Sequence, residues 1–510
     1  MDKIVILDFG GQTCALLARR VRELGVYSTI LPYFKAKEAL EDIDAKGIIL
    51  SGGPNSVFDP ASPKLPFDPN EATKPILAIC YGAQATVYSL GGKIVTADKQ
   101  EYGPTPVEKI IEDPLFEGVS PSFSAFMSHH DQVEKLPEGF LASAKTANCP
   151  NAAFANPEKG LYCLQFHPEV TQTEPGRLLL KNFVLSICKA KPSWDGSDFI
   201  ERKVKEIREK VGDNDILLAL SGGLDSAVVC ALCAKAVGKR LHAVFVDHGL
   251  LRKNEAEEVK ATFGGDHFEL DFRPLDKGEY FLKKLDGVSD PEKKRKIIGQ
   301  CFIDVFQQEA ESIDRPLFLA QGTIYPDRVE SGGAGTGKSL IKSHHNVGGL
   351  PEDLPFLGLV EPLEDLFKDE VREIGRLLGL PEAILERQPF PGPGLGVRVK
   401  GALSVEKLEI ARNADAIFCE EIKKLEIKPS QYFACLLNCA TVGVKGDERF
   451  VGYVIALRAV DTDDFMTARP SHLPFELLEN VAKRIVDEVE GVSRVYYDYS
   501  SKPPATIELE

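Results

Sequence analysis

Short apolar runs alternate with helical patterns along the first part of the chain. Residues 4–7, 48–50, 75–79 and 161–166 are apolar blocks of strand length, and 16–24 repeat apolar positions at helical spacing before Gly25. Strands that alternate with helices predict a parallel sheet covered on both faces. The polar, turn-rich stretch 191–198 reads as a linker. A second α/β pattern follows, with strands at 216–220, 241–246 and 317–320 and a helix over 227–237 that stops at Gly238. Residues 330–355 are rich in Gly, Ser, His and Pro without periodicity, as in a functional loop or lid. Beyond about 393 the pattern changes. Strands are expected at 431–444, 453–460 and 494–499 and a helix at 475–489, an α+β arrangement.

Composition narrows the class. The 510 residues suggest about three domains, and 43% hydrophobic with 27% charged residues suits a folded globular chain. A net charge of −16 argues against a broad nucleic-acid-binding face, though not against a small nucleotide. The 11 cysteines are scattered without framework spacing, which favours reduced thiols in a cytoplasm. The start, MDKIVILDFG, has no leader pattern, and no apolar run is long enough for a membrane span.

Two places carry chemistry. Cys80 ends an apolar run and is followed by Tyr81-Gly82-Ala83-Gln84, a turn into a helix. A lone Cys in such a run is usually core. Here it coincides with His167-Pro168-Glu169 after another strand and with Gly52-Gly53-Pro54 after a third. A thiolate at a helix N-terminus, a His to move its proton and a carboxylate to orient the imidazole make a nucleophilic constellation. Over residues 1–190 the chain resembles the class I (triad) glutamine amidotransferases, which place these groups at C-x-G-x-Q and H-P-E. The resemblance implies Cys80, His167 and Glu169 as the triad, Gly53 and Tyr81 as oxyanion-hole amides, and Gln84 as a contact to glutamine.

The second place is Ser221-Gly222-Gly223-Leu224-Asp225-Ser226-Ala227, which follows a strand and opens a helix. Two glycines, two hydroxyls and helix N-terminal amides there form a nest for a phosphate. The run resembles the loop of the N-type ATP pyrophosphatases, whose fold is a doubly wound parallel sheet. That resemblance implies ATP as co-substrate, Mg2+ near Asp225 and Val246 against the adenosine. The segment 332–339 matches a Walker A pattern by letters, but neither a buried strand before it nor a helix after it is expected, so that reading fails. His344-His345 lacks further ligands at metal spacing, and Cys230 and Cys233 read as helix core. His130 and His248 have no assigned role.

A glutaminase half and an adenylating half share a logic, since one frees ammonia and the other makes a leaving group for it to displace. The runs 321–327, 342–351, 389–394 and 502–510 together resemble the glutamine-dependent ligases that amidate xanthosine monophosphate (XMP). That family implies an α+β C-terminal dimerisation domain at 393–510 beside a pyrophosphatase domain at 191–392. It also implies XMP contacts from Lys502, Ile507 and Glu508, and a homodimer with no nucleic-acid or membrane partner. Another ATP-dependent amidotransferase, such as a glutamine-dependent NAD synthetase, and a tRNA-thiolating protein stay open at this point.

Overall fold

The computed structural model describes residues 1–325, 327, 356–462 and 467–510. The Walker-like run 332–339, the pair His344-His345, the segment 342–351 and the whole of the expected loop at 330–355 lie outside the described residues. The chain divides into two compact units. Among the described residues, the first holds 1–199 with 324, 325 and 327; the second holds 200–323 and everything from 356 on.

Nine strands form one sheet in the first unit: β1 (Lys3–Asp8), β2 (Tyr27–Pro32), β3 (Ala45–Leu50), β4 (Ile76–Ile79), β5 (Lys93–Lys109), β6 (Ser122–Lys135), β7 (Leu141–Lys145), β8 (Ala153–Asn156) and β9 (Leu161–Leu164). Their order is β2-β1-β3-β4-β9-β8-β7-β5-β6. The first five in that order are parallel. β4 is buried at every residue, the mark of a strand covered on both faces. The other four strands pair antiparallel. The long β5–β6 pair escapes the sequence reading because it buries one face only, so its apolar residues alternate instead of running together.

The expected linker at 191–198 is a docked segment. Lys191 N–H donates to the Asp2 carboxylate at 3.0 Å and Trp194 N–H to the Gly25 carbonyl at 2.8 Å. The Trp194 ring lies 4.8 Å from that of Tyr27 and 5.6 Å from the Arg22 guanidinium. The helix Gly196–Val211 then begins inside the same polar stretch.

In the second unit β10 (Asp215–Ala219), β11 (Leu241–Asp247), β12 (Asp271–Asp276), β13 (Leu317–Ala320) and β14 (Phe356–Val360) form an all-parallel sheet. The order β12-β11-β10-β13-β14 runs outwards in both directions from β10, a doubly wound arrangement. A further sheet joins β15 (Gln431–Lys445), β16 (Glu448–Asp461), β17 (Arg469–Pro470) and β18 (Val492–Tyr497). The helix Val405–Ile422, unread in the sequence, is capped by the Ser404 hydroxyl, which accepts from Lys407 N–H at 3.2 Å. One core runs through both sheets, from Leu217, Val244, Ile298 and Phe306 to Leu395, Phe418, Leu436 and Ile455.

The C-terminal residues are held by buried cations. Arg398 donates to the Glu508 carboxylate at 2.9 and 3.2 Å, Arg458 to the carbonyls of Ser500 and Thr506 at 2.5 and 3.1 Å, and Lys294 to Glu510 at 2.8 Å.

Trp194 is the chain's single tryptophan, so its fluorescence reports this docked segment. Trp194→Ala removes a half-buried ring and is expected to destabilise the first unit by about 1–3 kcal/mol. Denaturant unfolding followed by circular dichroism measures it, and an unchanged midpoint would contradict the docking.

Candidate active sites

The register of β4 on β9 builds the first site. Ile79 pairs with Leu164, and Cys80 N–H donates to the Leu164 carbonyl at 2.7 Å. Cys80 and Gln165-Phe166-His167 therefore leave neighbouring parallel strands at one edge. Cys80 has φ +51°, a left-handed conformation that costs a non-glycine residue about 1–3 kcal/mol. The helix Tyr81–Ser89 starts at the next residue, so its first amides have no intrahelical partners. Gly82 permits the approach: a Cβ there would lie 2.8 Å from the Leu50 carbonyl oxygen.

His167 Nδ1 lies 2.7 Å from Glu169 Oε1, and Glu169 is fully buried. Arg20 Nε donates to the Glu169 carbonyl at 3.0 Å and fixes that end of the pair. Burial pushes the His167 imidazolium down, but the Cys80 sulfur and the Glu169 carboxylate outweigh it, and the pKa rises to about 10. The Gly52-Gly53 turn walls the site. A Cβ on Gly52 would lie 2.9 Å from His167 Cε1 and 3.5 Å from Cys80 Cβ, while one on Gly53 would meet the Phe9 carbonyl at 2.6 Å. Tyr81 is buried, with its hydroxyl donating to the Pro63 carbonyl at 2.6 Å. The Gln84 amide donates to the Asp131 carbonyl at 2.7 Å and faces Gln165 Oε1 at 3.3 Å. These bonds commit its NH2 group to the protein.

At the second site β10 feeds the turn 220–223 into the helix Leu224–Val237. Gly222 has φ +79°, and a Cβ there would lie 2.9 Å from Val259 Cγ2, so glycine alone suits the turn. The Ser221 and Ser226 hydroxyls are 2.9 Å apart, and Gly223 N–H donates to Ser221 Oγ at 3.3 Å. Asp225 is paired with Lys368 through Oδ2, while its buried Oδ1 has no hydrogen-bond partner. An orphaned carboxylate oxygen beside a phosphate nest fits a divalent cation. Val246 is buried next to the carboxyl end of β11, at the edge where open α/β sheets bind ligands.

Residues 5–187 match the family described as glutamine amidotransferase class-I, residues 197–264 the PP-loop domain and residues 420–509 the GMP synthase C terminal domain. The glutamine-hydrolysing GMP synthase of Clostridium botulinum is 52% identical over 513 residues, covering 100% of this chain and 99% of that one. That of Treponema denticola is 51% identical over 511 residues, covering 100% and 97%. The chain belongs to the glutamine-hydrolysing GMP synthase family. These enzymes are ligases, and the multidomain α/β fold expected from the sequence is the one found.

Several residues of these GMP synthase sites escape the sequence reading. Gln165, fully buried, sets its Nε2 3.8 Å from Cys80 Sγ. A polar residue closing an apolar strand two places before His167 was its one signal. Lys368 opens the helix Lys368–Leu377 and meets Asp225; Arg387 donates to the Gly222 carbonyl at 2.6 Å and pairs with Glu255 and Glu258. Nothing local to Lys368 or Arg387 marks either. His248 is core. It packs on Phe281 and Phe302 at 5.7 and 5.1 Å, and burial, with Arg412 adding, lowers its pKa to about 4. His130 is exposed, edge-on to Tyr102. Cys230 and Cys233 are fully buried in their helix, as read.

A raised imidazole pKa stabilises the fold fully below the ordinary value of 6.5, and that contribution is lost as pH rises through about 10. Glu169→Gln removes one of the charges that hold the proton. The His167 titration midpoint is expected to fall by about a unit or more, read by NMR of labelled histidine, and glutaminase kcat by about a hundredfold. An unmoved midpoint would contradict the pairing.

Proposed function

We propose that the chain makes GMP with two coupled chemistries, divided among residues 1–190, 191–392 and 393–510. The observation that carries the reading is the cysteine–histidine–glutamate row at the edge of β4 and β9, joined in one chain to the phosphate nest after β10.

In the first region Cys80 Sγ attacks the carboxamide carbon of glutamine. His167, held by Glu169, carries the thiol proton to the departing nitrogen, and ammonia leaves. Water then cleaves the thioester to glutamate. The amides of Gly53 and Tyr81 would donate to the oxyanion, the second at a helix N-terminus whose dipole favours negative charge. Gln84 helps hold glutamine in this reading through its side-chain oxygen, since its NH2 group faces Asp131 and Gln165.

In the second region the amides and hydroxyls of residues 221–227 cradle the ATP pyrophosphate, and Val246 packs near the adenosine. Asp225 would hold Mg2+, which when bound neutralises phosphate charge. XMP O2 attacks the α-phosphorus of ATP and pyrophosphate leaves. Ammonia then attacks C2, and AMP departs as GMP forms. Lys368, now paired with Asp225, would be a cation available to the same phosphates.

Lys502, Ile507 and Glu508 contact XMP in this reading. Glu508 comes to it already paired with Arg398, and Lys502 offers a point charge to the substrate phosphate. A homodimer is supported by an apolar face on the β15–β16 hairpin, where Val442, Val444 and Val451 are exposed side by side. All eleven cysteines are free thiols, which suits a reducing cytoplasm, and no described helix is long and apolar enough to cross a membrane.

Two substitutions separate the halves. Cys80→Ala is expected to abolish glutamine-dependent GMP synthesis and leave synthesis from added ammonia. Loss of both in folded protein would refute the division. Asp225→Ala is expected to lower XMP-dependent pyrophosphate release by a thousandfold or so, on the scale of losing a main transition-state contact. Release at the native rate would refute the loop's role.

A further inference from the structure

Behind Cys80 a chain of buried amides has one consistent orientation. The Asp131 carbonyl can only accept, so the Gln84 atom 2.7 Å from it is the NH2 group. The same nitrogen lies 3.3 Å from the Gln165 side chain, so the atom it meets there is the Gln165 oxygen. That leaves the Gln165 NH2 group facing Cys80 Sγ at 3.8 Å. Gln165 is 0% exposed and Gln84 4%, so neither amide can exchange these partners for water.

The Asp131 anchor is itself braced. Thr96 and Ser56 hydroxyls donate to its carboxylate at 3.0 and 2.5 Å, and His129 Nδ1 lies 3.1 Å from the same carbonyl. The Ser128 carbonyl also lies 3.6 Å from Cys80 Sγ. A carbonyl there can accept from a thiol and repels a thiolate. An amide N–H can donate to a thiolate and gains little from a thiol. The two contacts of the sulfur therefore favour opposite protonation states.

We propose that Gln165 is a further catalytic residue of the glutaminase site, donating its Nε2–H to the Cys80 sulfur as thiolate. The inference rests on Cys80 as the nucleophile. The thiol proton passes to His167, Gln165 keeps both of its hydrogens, and the sulfur turns from the Ser128 carbonyl to the amide. Stabilising the thiolate raises its population more than it lowers its reactivity, because nucleophilicity follows only about half of a change in basicity. The same bond is weak to the neutral thioester sulfur and forms again when water expels the thiolate, so it assists both steps. Gln84 sets the amide's orientation, which explains why a glutamine one helical turn after Cys80 turns inward and leaves no NH2 group for the substrate.

The test is alkylation of the full-length protein by iodoacetamide, with the modified cysteine located by peptide mass mapping. Gln165→Met keeps the volume and removes the donor. It is expected to slow Cys80 alkylation about tenfold at neutral pH, with the deficit closing as pH rises. Glutaminase kcat is expected to fall by a similar factor with the KM for glutamine held within about twofold, a split that loss of a glutamine contact would not give. Gln165→Glu places a carboxylate against the sulfur and is expected to slow alkylation further. Equal rates and pH profiles in the native chain and Gln165→Met overturn the proposal. Should Gln165→Met not fold, native-like alkylation of Gln165→Glu across the pH range overturns it. Alkylation of the native chain that leaves Cys80 unmodified while the exposed Cys439 reacts overturns instead the assignment of the nucleophile.

Discussion

The hydrogen bond from Cys80 N–H to the Leu164 carbonyl fixes where the glutaminase chemistry sits. It extends the parallel pairing of β4 and β9 by one residue, so the two strands stop together. A slip of one residue would send Cys80 to the opposite face of the sheet. With the register set, Cys80, the buried Gln165 and His167 emerge at one edge from neighbouring strands. The strained backbone of Cys80 is tolerable because the pairing on one side and the helix on the other leave it no alternative.

The second site applies the same geometry to a different charge problem. β10 lies at the centre of its sheet, and the turn after it opens at the edge where the strand order reverses. A phosphate nest must be electropositive when filled and stable when empty. The Asp225–Lys368 pair answers both needs, because it neutralises the carboxylate without a ligand and leaves a cation close by when one arrives. The Arg387 contact to the Gly222 carbonyl braces the turn. Removing Arg387 would leave Glu255 buried and unpaired, which makes that arginine structural in the first place.

What the sequence revealed follows from how each group is coded. Cys80, His167, Glu169 and the Ser221–Ala227 run sit at the ends of apolar strands, where a polar residue breaks a local pattern and can be seen. The inner parallel strands were visible for the same reason, since burial on both faces makes them continuous, whereas the part-exposed edge strands β2, β12 and β14 were not. The β5–β6 pair was not, because alternation at one covered face is weak, and Val405–Ile422 was not, because its apolar positions give only a shallow stripe. Lys368, Arg387 and Arg398 reach their partners only through the tertiary fold, and nothing near them in the chain foretells it. His248 is instructive in the other direction. It follows a strand that leads to a ligand edge, which invites a functional role, yet the aromatic rings packed on it make it a neutral core residue.

The C-terminal residues show why placement there is a matter of charge and not of apolar burial. None of the apolar side chains from Lys502 onward is fully buried, so hydrophobic contact alone cannot select its register. Arg398, Arg458 and Lys294 are all fully buried, and each left water to reach its partner. Such pairs add little net stability, but stripping one partner away is costly, about 3–5 kcal/mol. Arg458 binds the carbonyls of Ser500 and Thr506 and needs the Asp498 carboxylate, at 3.2 Å, to balance its charge. A shift of one residue would leave these three cations facing carbonyls or apolar groups at once. The three cations therefore set the register around Glu508 and Glu510, while Lys502 is tied by backbone hydrogen bonds to Ala468 in both directions, at 2.8 and 3.0 Å.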